Sequence, residues 1–396
     1  MAIGGLDSAI NQMQTMQMMR QAPTRPPAAG SLFVSDSFRN NPGQPLDHGD
    51  KVVMAAQRDG FQGPVLRQQT FQSVHEQTIG RSESAMFRRN ASPQDTRAAI
   101  QGVGRGYALM VLDSKTGAVN SATASGARNS AINLSQGWSN AKSAGRIYFT
   151  AADAWNPEAT PEVRAQSQSV ANNLARLYNL DMAKLSSTNP RVSGPERAKL
   201  QQHLITELEG ATRDNPQITS AQSAFRTAVQ RFESNRNSVI ISAGNDNGVL
   251  GDFKKDAHGF APSNVPRDFN TNFIATPEAT LVGATRWFRG AQGQGPTERV
   301  AGYSNRTGGV DIYASGSLDA IKDGIPAETQ GTSFAAPRVA AMMASLHKAN
   351  PNMSSAQIEN LMRTRFTHQL QNGNSSVAVL DFHKYSDFMV GRRSPE

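Results

Sequence analysis

Cysteine is absent from all 396 residues, which excludes a disulfide framework and any thiolate metal site. A run of about 18 apolar residues is also missing, so no transmembrane helix is expected. The N-terminus has neither the charged n-region nor the apolar h-region of a secretory signal. No His-Glu-x-x-His or other paired-ligand spacing occurs, so no metal is expected, and nothing calls for another cofactor. Basic runs are lacking too. The formal charge is +8, but Arg88-Arg89 and Arg392-Arg393 are isolated pairs without interleaved aromatics. Such a charge reads as a solvated surface with some attraction for acidic partners, not as a nucleic-acid interface. Absence of cysteine suits a protein exported and folded without oxidation, and suits the cytosol equally.

What is present is a globular composition, 38% apolar and 18% charged. The length allows one large α/β domain with an insertion, or two modest domains. Residues 1–20 carry Ile3, Leu6, Ile10, Met13, Met16 and Met19 at spacings of three or four, the pattern of an amphipathic helix. Residues 21–30 form a Pro-rich linker. An amphipathic segment on such a linker resembles the uncleaved export signals of bacterial type III systems, which implies export machinery as a partner. A helix lying on the domain surface accounts for it as well. The location is therefore either cytoplasmic or reached by a route that needs no signal peptide.

From residue 31, short apolar runs alternate with helical patterns, the sign of a parallel sheet covered on both faces. Strands are expected at 31–35, 107–112, 130–134, 239–243, 279–283 and 309–313, and helices at 49–58, 94–105 and 219–235. Between 152 and 216 strand signals vanish. Val163, Val170, Leu174 and Leu177 share one helical face there, and Leu200, Leu204 and Leu208 another. The expected fold is α/β, a three-layer sandwich with a mainly parallel central sheet between helical layers. Residues 31–385 would form this domain, interrupted by a helical insertion at about 152–216. Residues 1–30 would precede it, and a polar tail at 386–396 would follow.

A serine hydroxyl becomes a useful nucleophile when a base takes its proton and donors stabilise the oxyanion formed on the substrate. Gly331-Thr-Ser-Phe-Ala-Ala-Pro337 suits that task. Gly331 permits a tight turn, and Thr332 and Ser333 are natural helix-start residues. Residues 338–346 read as a helix apolar on most faces, which belongs in a protein's centre. Ser333 would then sit at the positive end of a buried helix, where an anion is favoured. Taken alone, a Thr-Ser pair before a helix reads equally as a simple cap.

The whole heptapeptide matches the segment around the reactive serine of subtilisins, and the resemblance continues in that family's chain order from residue 31 to about 368. It implies the subtilisin-like fold, serine endopeptidase activity and a protein or peptide substrate. Ile240-Ile-Ser-Ala-Gly-Asn-Asp-Asn-Gly248 resembles the family segment with the oxyanion-hole asparagine, here Asn245. Ser130-Ala-Ile-Asn-Leu-Ser-Gln-Gly137 resembles the cleft-wall strand, so Ser135, Gln136 and Gly137 would offer backbone groups to an extended substrate. Leu281-Val-Gly-Ala-Thr285, Gly302-Tyr-Ser-Asn-Arg306 and Ala349-Asn-Pro-Asn-Met-Ser-Ser-Ala-Gln-Ile358 match in the same order.

The family order of Asp, His, Asn and Ser makes Asp36-Ser37 and His48-Gly49 the expected remainder of the triad. His48 would act as general base and Asp36 would orient it. Asp50-Lys51 depart from the family's usual Thr-His, and the loop from Asp36 to His48 is short. The lost surface is one many relatives use for calcium, so no calcium site is carried over. A competing pair, Asp113 and His258, would break the family order. His75, His203, His347, His368 and His383 read as ordinary surface or core histidines. Asp36 lies too early for a folding prodomain of about 70–80 residues to precede it within this sequence, the size usual in the secreted family. The alternative reading is a catalytically silent subtilase-fold binding or scaffold protein. The insertion, entering near the end of the cleft-wall strand, is expected to gate substrates.

Overall fold

The computed structural model describes residues 26–39, 45–70, 73–288, 295–306, 309–322, 325–373, 375–381, 383–384 and 387. The amphipathic segment at 1–20, the first half of the linker (21–25) and nearly all of the polar tail lie outside the described residues.

Alternating side chains on the strands explain the layering. In β1 (Leu32–Asp36), Leu32 and Val34 enter one core and Phe33 the other. In β4 (Ser238–Ser242), Ile240 joins the first core, while Val239 and Ile241 join the second. Both strands are buried throughout, as strands of a parallel sheet covered on two faces must be. With β2 (Val65–Gln69), β3 (Ala131–Leu134), β5 (Thr280–Phe288) and β7 (Ile312–Ser315), they form a parallel sheet in the order β2-β1-β3-β4-β5-β7. Beyond β7 lies the antiparallel hairpin of β10 (Thr367–Asn372) and β11 (Ser375–Leu380). Strand β6 (Thr297–Val300) pairs antiparallel with β5, and β8 (Ser317–Lys322) with β9 (Ile325–Gln330) forms a separate ribbon.

One face of the sheet carries α1 (His48–Arg58), α10 (Thr332–Ala349) and α11 (Ser355–Arg365). Helix α10 is almost wholly buried: Ala335, Ala336, Val339, Ala340, Ala341, Met342, Met343 and Ala344 are all at 0% exposure. Its many alanines let it lie close against several strands at once. The other face carries α3 (Pro93–Ala124) and α8 (Pro216–Glu233). A third apolar cluster joins the first half of α3 to α2 (His75–Met86), α4 (Asn140–Ala152), α5 (Pro161–Tyr178) and α7 (Pro190–Thr212). The remaining helices are α6 (Met182–Leu185) and α9 (Asn247–Asp256). The three-layer α/β architecture with a mainly parallel sheet thus matches expectation. The stretch 152–216 is helical, with Val170, Leu174, Leu200, Leu204 and Leu208 fully buried and Val163 exposed.

One expected strand is corrected. Tyr107–Leu112 lies inside α3, which runs for 32 residues from the Ser92 cap. A short apolar run is compatible with a buried strand or with a helix buried on two sides. Here Ala108, Val111, Leu112, Val119 and Ala122 face the sheet, while Ile100, Val103 and Tyr107 face the third cluster. These adjoining apolar faces widen the buried stripe of the helix, so the segment reads as continuous hydrophobicity.

Candidate active site

Helix α1 begins where the site requires it. Asp47 caps it, accepting from the His48 N–H, and Asp50 completes a capping box by accepting from the Asp47 N–H. Asp50 also accepts from Arg67 Nη1 at 2.9 Å, so the departure at residue 50 has a structural task. Gly49 lets the helix press against the end of β1. A β-carbon there would stand 2.5 Å from the Ser37 carbonyl oxygen and 2.9 Å from Asp36 Cβ. The Gly49 N–H instead donates to that carbonyl at 2.7 Å. That contact sets the start of α1 against the end of β1, with His48 opposite Asp36.

His48 Nδ1 lies 2.9 and 2.8 Å from the two carboxylate oxygens of Asp36, and Nε2 lies 3.0 Å from Ser333 Oγ. Asp36 is fully buried. Its Oδ1 also accepts from the Ser37 N–H and from Gln136 Nε2, both at 2.7 Å. The ring of Phe334 packs against the imidazole with centroids 5.7 Å apart.

Ser333 sits in the first turn of α10. Pro337, four residues on, has no N–H to return to the Ser333 carbonyl. Ser135 Oγ fills that vacancy, donating to it at 3.0 Å, and itself accepts from Asn133 Nδ2 at 2.7 Å. The proline of the heptapeptide thus ties the Ser333 backbone to the cleft wall. Asn245 is oriented as firmly. Its Oδ1 accepts from the Thr332 N–H at 2.9 Å and from Thr332 Oγ1 at 3.0 Å. Since the backbone N–H is a fixed donor, Nδ2 must point the other way. A β-carbon on Gly331 would lie 3.0 Å from Ser333 Oγ and 3.2 Å from Asn245 Nδ2. Gly331 therefore keeps open the space between the hydroxyl and the amide donor.

These groups border a cleft of about 610 Å³ that includes Ser135, Gln136 and Gly137 on one wall, and Gly244, Asn245 and Asp246 on another. Met110, Val111, Ser114 and Lys115 of α3 also line it. Lys115 is 1% exposed and donates to the Ser35 carbonyl and to Ser35 Oγ at 3.1 and 3.3 Å. Burial lowers its pKa to about 8, against the opposing pull of the Asp36 carboxylate. Asp246 accepts from Ser139 Oγ at 2.6 Å. Burial raises its pKa, while Ser139, Lys142 and Asn305 act to lower it. Lys142 holds its ammonium 4.2 Å over the Trp138 ring at the same end of the cleft.

All seven expected site residues border this region or, in the case of Asp36, lie directly behind it. The competing pair is not assembled. Asp113 lies within α3 and binds His75 Nε2 at 2.9 Å, while His258 is exposed in a left-handed turn after α9. His347 is fully buried against Ser238, with its pKa lowered by burial to about 4, and His368 pairs with Glu298. His203 stacks on Tyr178, and His383 is exposed. The sequence reading missed Thr332 as the orienting partner of Asn245, and Lys115. A lysine between Leu112 and Val119 on an apolar helix face was the available signal for the latter. Among the described residues, no group of three His, Asp or Glu side chains is placed to hold a metal ion. No helix among them is long and apolar enough to cross a membrane.

An α/β sandwich with a serine at a buried helix start, next to histidine and carboxylate, defines the class of serine hydrolases. The chain belongs to the subtilase family: residues 117–379 match the model described as Subtilase family. It is accordingly a serine endopeptidase. No curated protein matches it. Among solved structures it is similar to the epidermin leader peptide processing serine protease from Staphylococcus aureus, at 13% identity and TM-score 0.42, covering 93% of this chain and 77% of that one. The nisin leader peptidase from Lactococcus lactis is 11% identical with TM-score 0.38, covering 91% and 88%. MycP1 from Mycobacterium smegmatis is 14% identical with TM-score 0.40, covering 94% and 82%. The family match begins after Asp36 and His48, so the case for these two rests on the distances given above.

Proposed function

We propose that Ser333 is the nucleophile of this endopeptidase, with His48 as general base, Asp36 as its orienting carboxylate and Asn245 as oxyanion donor. The observation that carries this reading is the unbroken chain of contacts from Asp36 through His48 to Ser333, at 2.8 and 3.0 Å. Ser333 Oγ attacks the scissile carbonyl as its proton passes to His48 Nε2. Asn245 Nδ2, aimed by Thr332, donates to the oxygen that becomes negative. The proton on His48 then goes to the leaving amine, and water hydrolyses the acyl-enzyme by the same route in reverse.

Peptide backbone would pair along Ser135, Gln136 and Gly137 as an added strand. The helical stretch at about 152–216 is read as a buttress rather than a gate. Its helices pack behind α3 and α4, and the residues bordering the cleft all come from elsewhere in the chain. A fluorophosphonate probe tests the assignment: the wild-type chain is labelled, whereas Ser333→Ala is not. Equal labelling of both would overturn it.

A further inference from the structure

The cleft-wall residue Gln136 has a side chain whose bonds are not those of a wall. Its Nε2 donates to Asp36 Oδ1 at 2.7 Å, as short as the bond from the Ser37 N–H. Its Oε1 accepts from Thr70 Oγ1 at 3.4 Å. The Thr70 N–H, in turn, donates to the Asp36 main-chain carbonyl at 2.8 Å. Carboxylate, carboxamide, threonine and the aspartate's own backbone thus form a closed ring of contacts. The ring also fixes which end of the carboxamide faces Asp36, because a carboxylate accepts and only the NH₂ end can donate.

We propose that Gln136 is a positioning residue for the acid–base pair, holding the Asp36 carboxylate in the orientation that aims His48 at Ser333. This inference rests on the triad assignment above and extends it. Rotation of a carboxylate about its last bond is soft, and both oxygens of Asp36 stand nearly equidistant from His48 Nδ1. The imidazole alone therefore does not choose between them. Two donors on Oδ1 supply the missing restraint and hold the carboxylate with both oxygens turned to the imidazole. A fully buried carboxylate with only one fixed donor would also be under-solvated. The charged or titratable groups facing Asp36 are His48 from α1 and Lys115 from α3, with Asp47 beyond Ser37. Among them only His48 bonds the carboxylate directly. Because residue 136 belongs to the substrate wall, a bound peptide would press on the residue that steadies Asp36.

The test measures inactivation by a fluorophosphonate over a range of concentrations and pH, for wild type, Gln136→Leu, Gln136→Glu and Ser333→Ala. Gln136→Leu keeps bulk and removes the donor. Its limiting inactivation rate should fall about tenfold with little change in probe affinity, the loss expected for one charge-assisted hydrogen bond. Gln136→Glu keeps the shape but sets a second carboxylate against Asp36, so its rate should fall further at neutral pH. The added negative charge also favours the protonated form of His48, the general base, so the acid limb of the pH–rate profile, and with it the optimum, should move upward. A limiting rate for Gln136→Leu within about twofold of wild type, or a change confined to probe affinity, would overturn the inference. So would an unmoved optimum for Gln136→Glu. Labelling of Ser333→Ala would instead overturn the triad assignment itself, so the two failures are distinct.

Discussion

Lys115 gives the sharpest quantitative test of the packing beneath the site. Its ammonium is almost fully buried beside the end of β1, and among the described residues its hydrogen-bond acceptors are the two Ser35 oxygens. Burial lowers its pKa from 10.5 to about 8, the Asp36 carboxylate recovering part of the cost. The native state therefore gives up this proton before the unfolded chain does. Between about pH 8 and pH 10.5 the unfolded chain binds more protons, so stability rises with pH across that window. Below it, the full cost of the buried charge is present. A gap of about 2.5 pH units corresponds to about 3 kcal/mol. Lys115→Met removes the titration while keeping an unbranched side chain. Lost hydrogen bonds to Ser35 shift the two stability curves by a constant, but they do not alter the slope of their difference. The assay is urea unfolding followed by tryptophan fluorescence, in a Ser333→Ala background that prevents self-digestion. Relative to Lys115→Met, the lysine form should gain about 3 kcal/mol between about pH 8 and 10.5. Parallel curves, or a lysine form that weakens over that range, would refute the reasoning.

Two further expectations follow from the proposed role of Asn245. Asn245→Ala should lower kcat about 10²–10³-fold and leave KM nearly unchanged, a magnitude borrowed from removal of the corresponding donor in subtilisin itself; steady-state kinetics on a peptide substrate checks it. Gly331→Ala should fold normally, since its extended backbone (φ 165) suits any residue. Its methyl group would nonetheless occupy the space between Ser333 Oγ and Asn245 Nδ2. Loss of labelling with an unchanged unfolding midpoint is the expected outcome, and a fully active variant would show that the substrate carbonyl lies elsewhere.

Particular elements show why some features were legible and others were not. Strands β1, β3 and β4 are buried on both faces, so their apolar runs stood out in the chain. Strand β2 was not expected, because it ends in Arg67, Gln68 and Gln69 at the sheet's edge. The segment Tyr107–Leu112 reads as a strand because α3 packs against two apolar clusters on adjoining faces, which widens its apolar stripe and blurs the helical period. At the site, Ser333 and Asn245 were recognisable because each sits in a contiguous motif. Asp36 and His48 were chosen by chain order, against a second Asp and a second His-Gly.

The sequence by itself determined the family, the layered α/β fold and the heptapeptide at the start of a buried helix, since these are written in neighbouring residues and in the periodicity of burial. Only the tertiary structure decided which aspartate meets which histidine. It alone showed that Gln136 turns its side chain back onto Asp36, and that Lys115 lies sealed beside the same carboxylate. The Lys115–Ser35, Gln136–Asp36 and His48–Ser333 contacts join residues 80, 100 and 285 positions apart. They exist because parallel pairing brings the C-terminal ends of β1, β3 and β4 to one edge, where the start of α10 meets them. No local pattern records that meeting, because it is set by the register of strands and not by the residues beside each group.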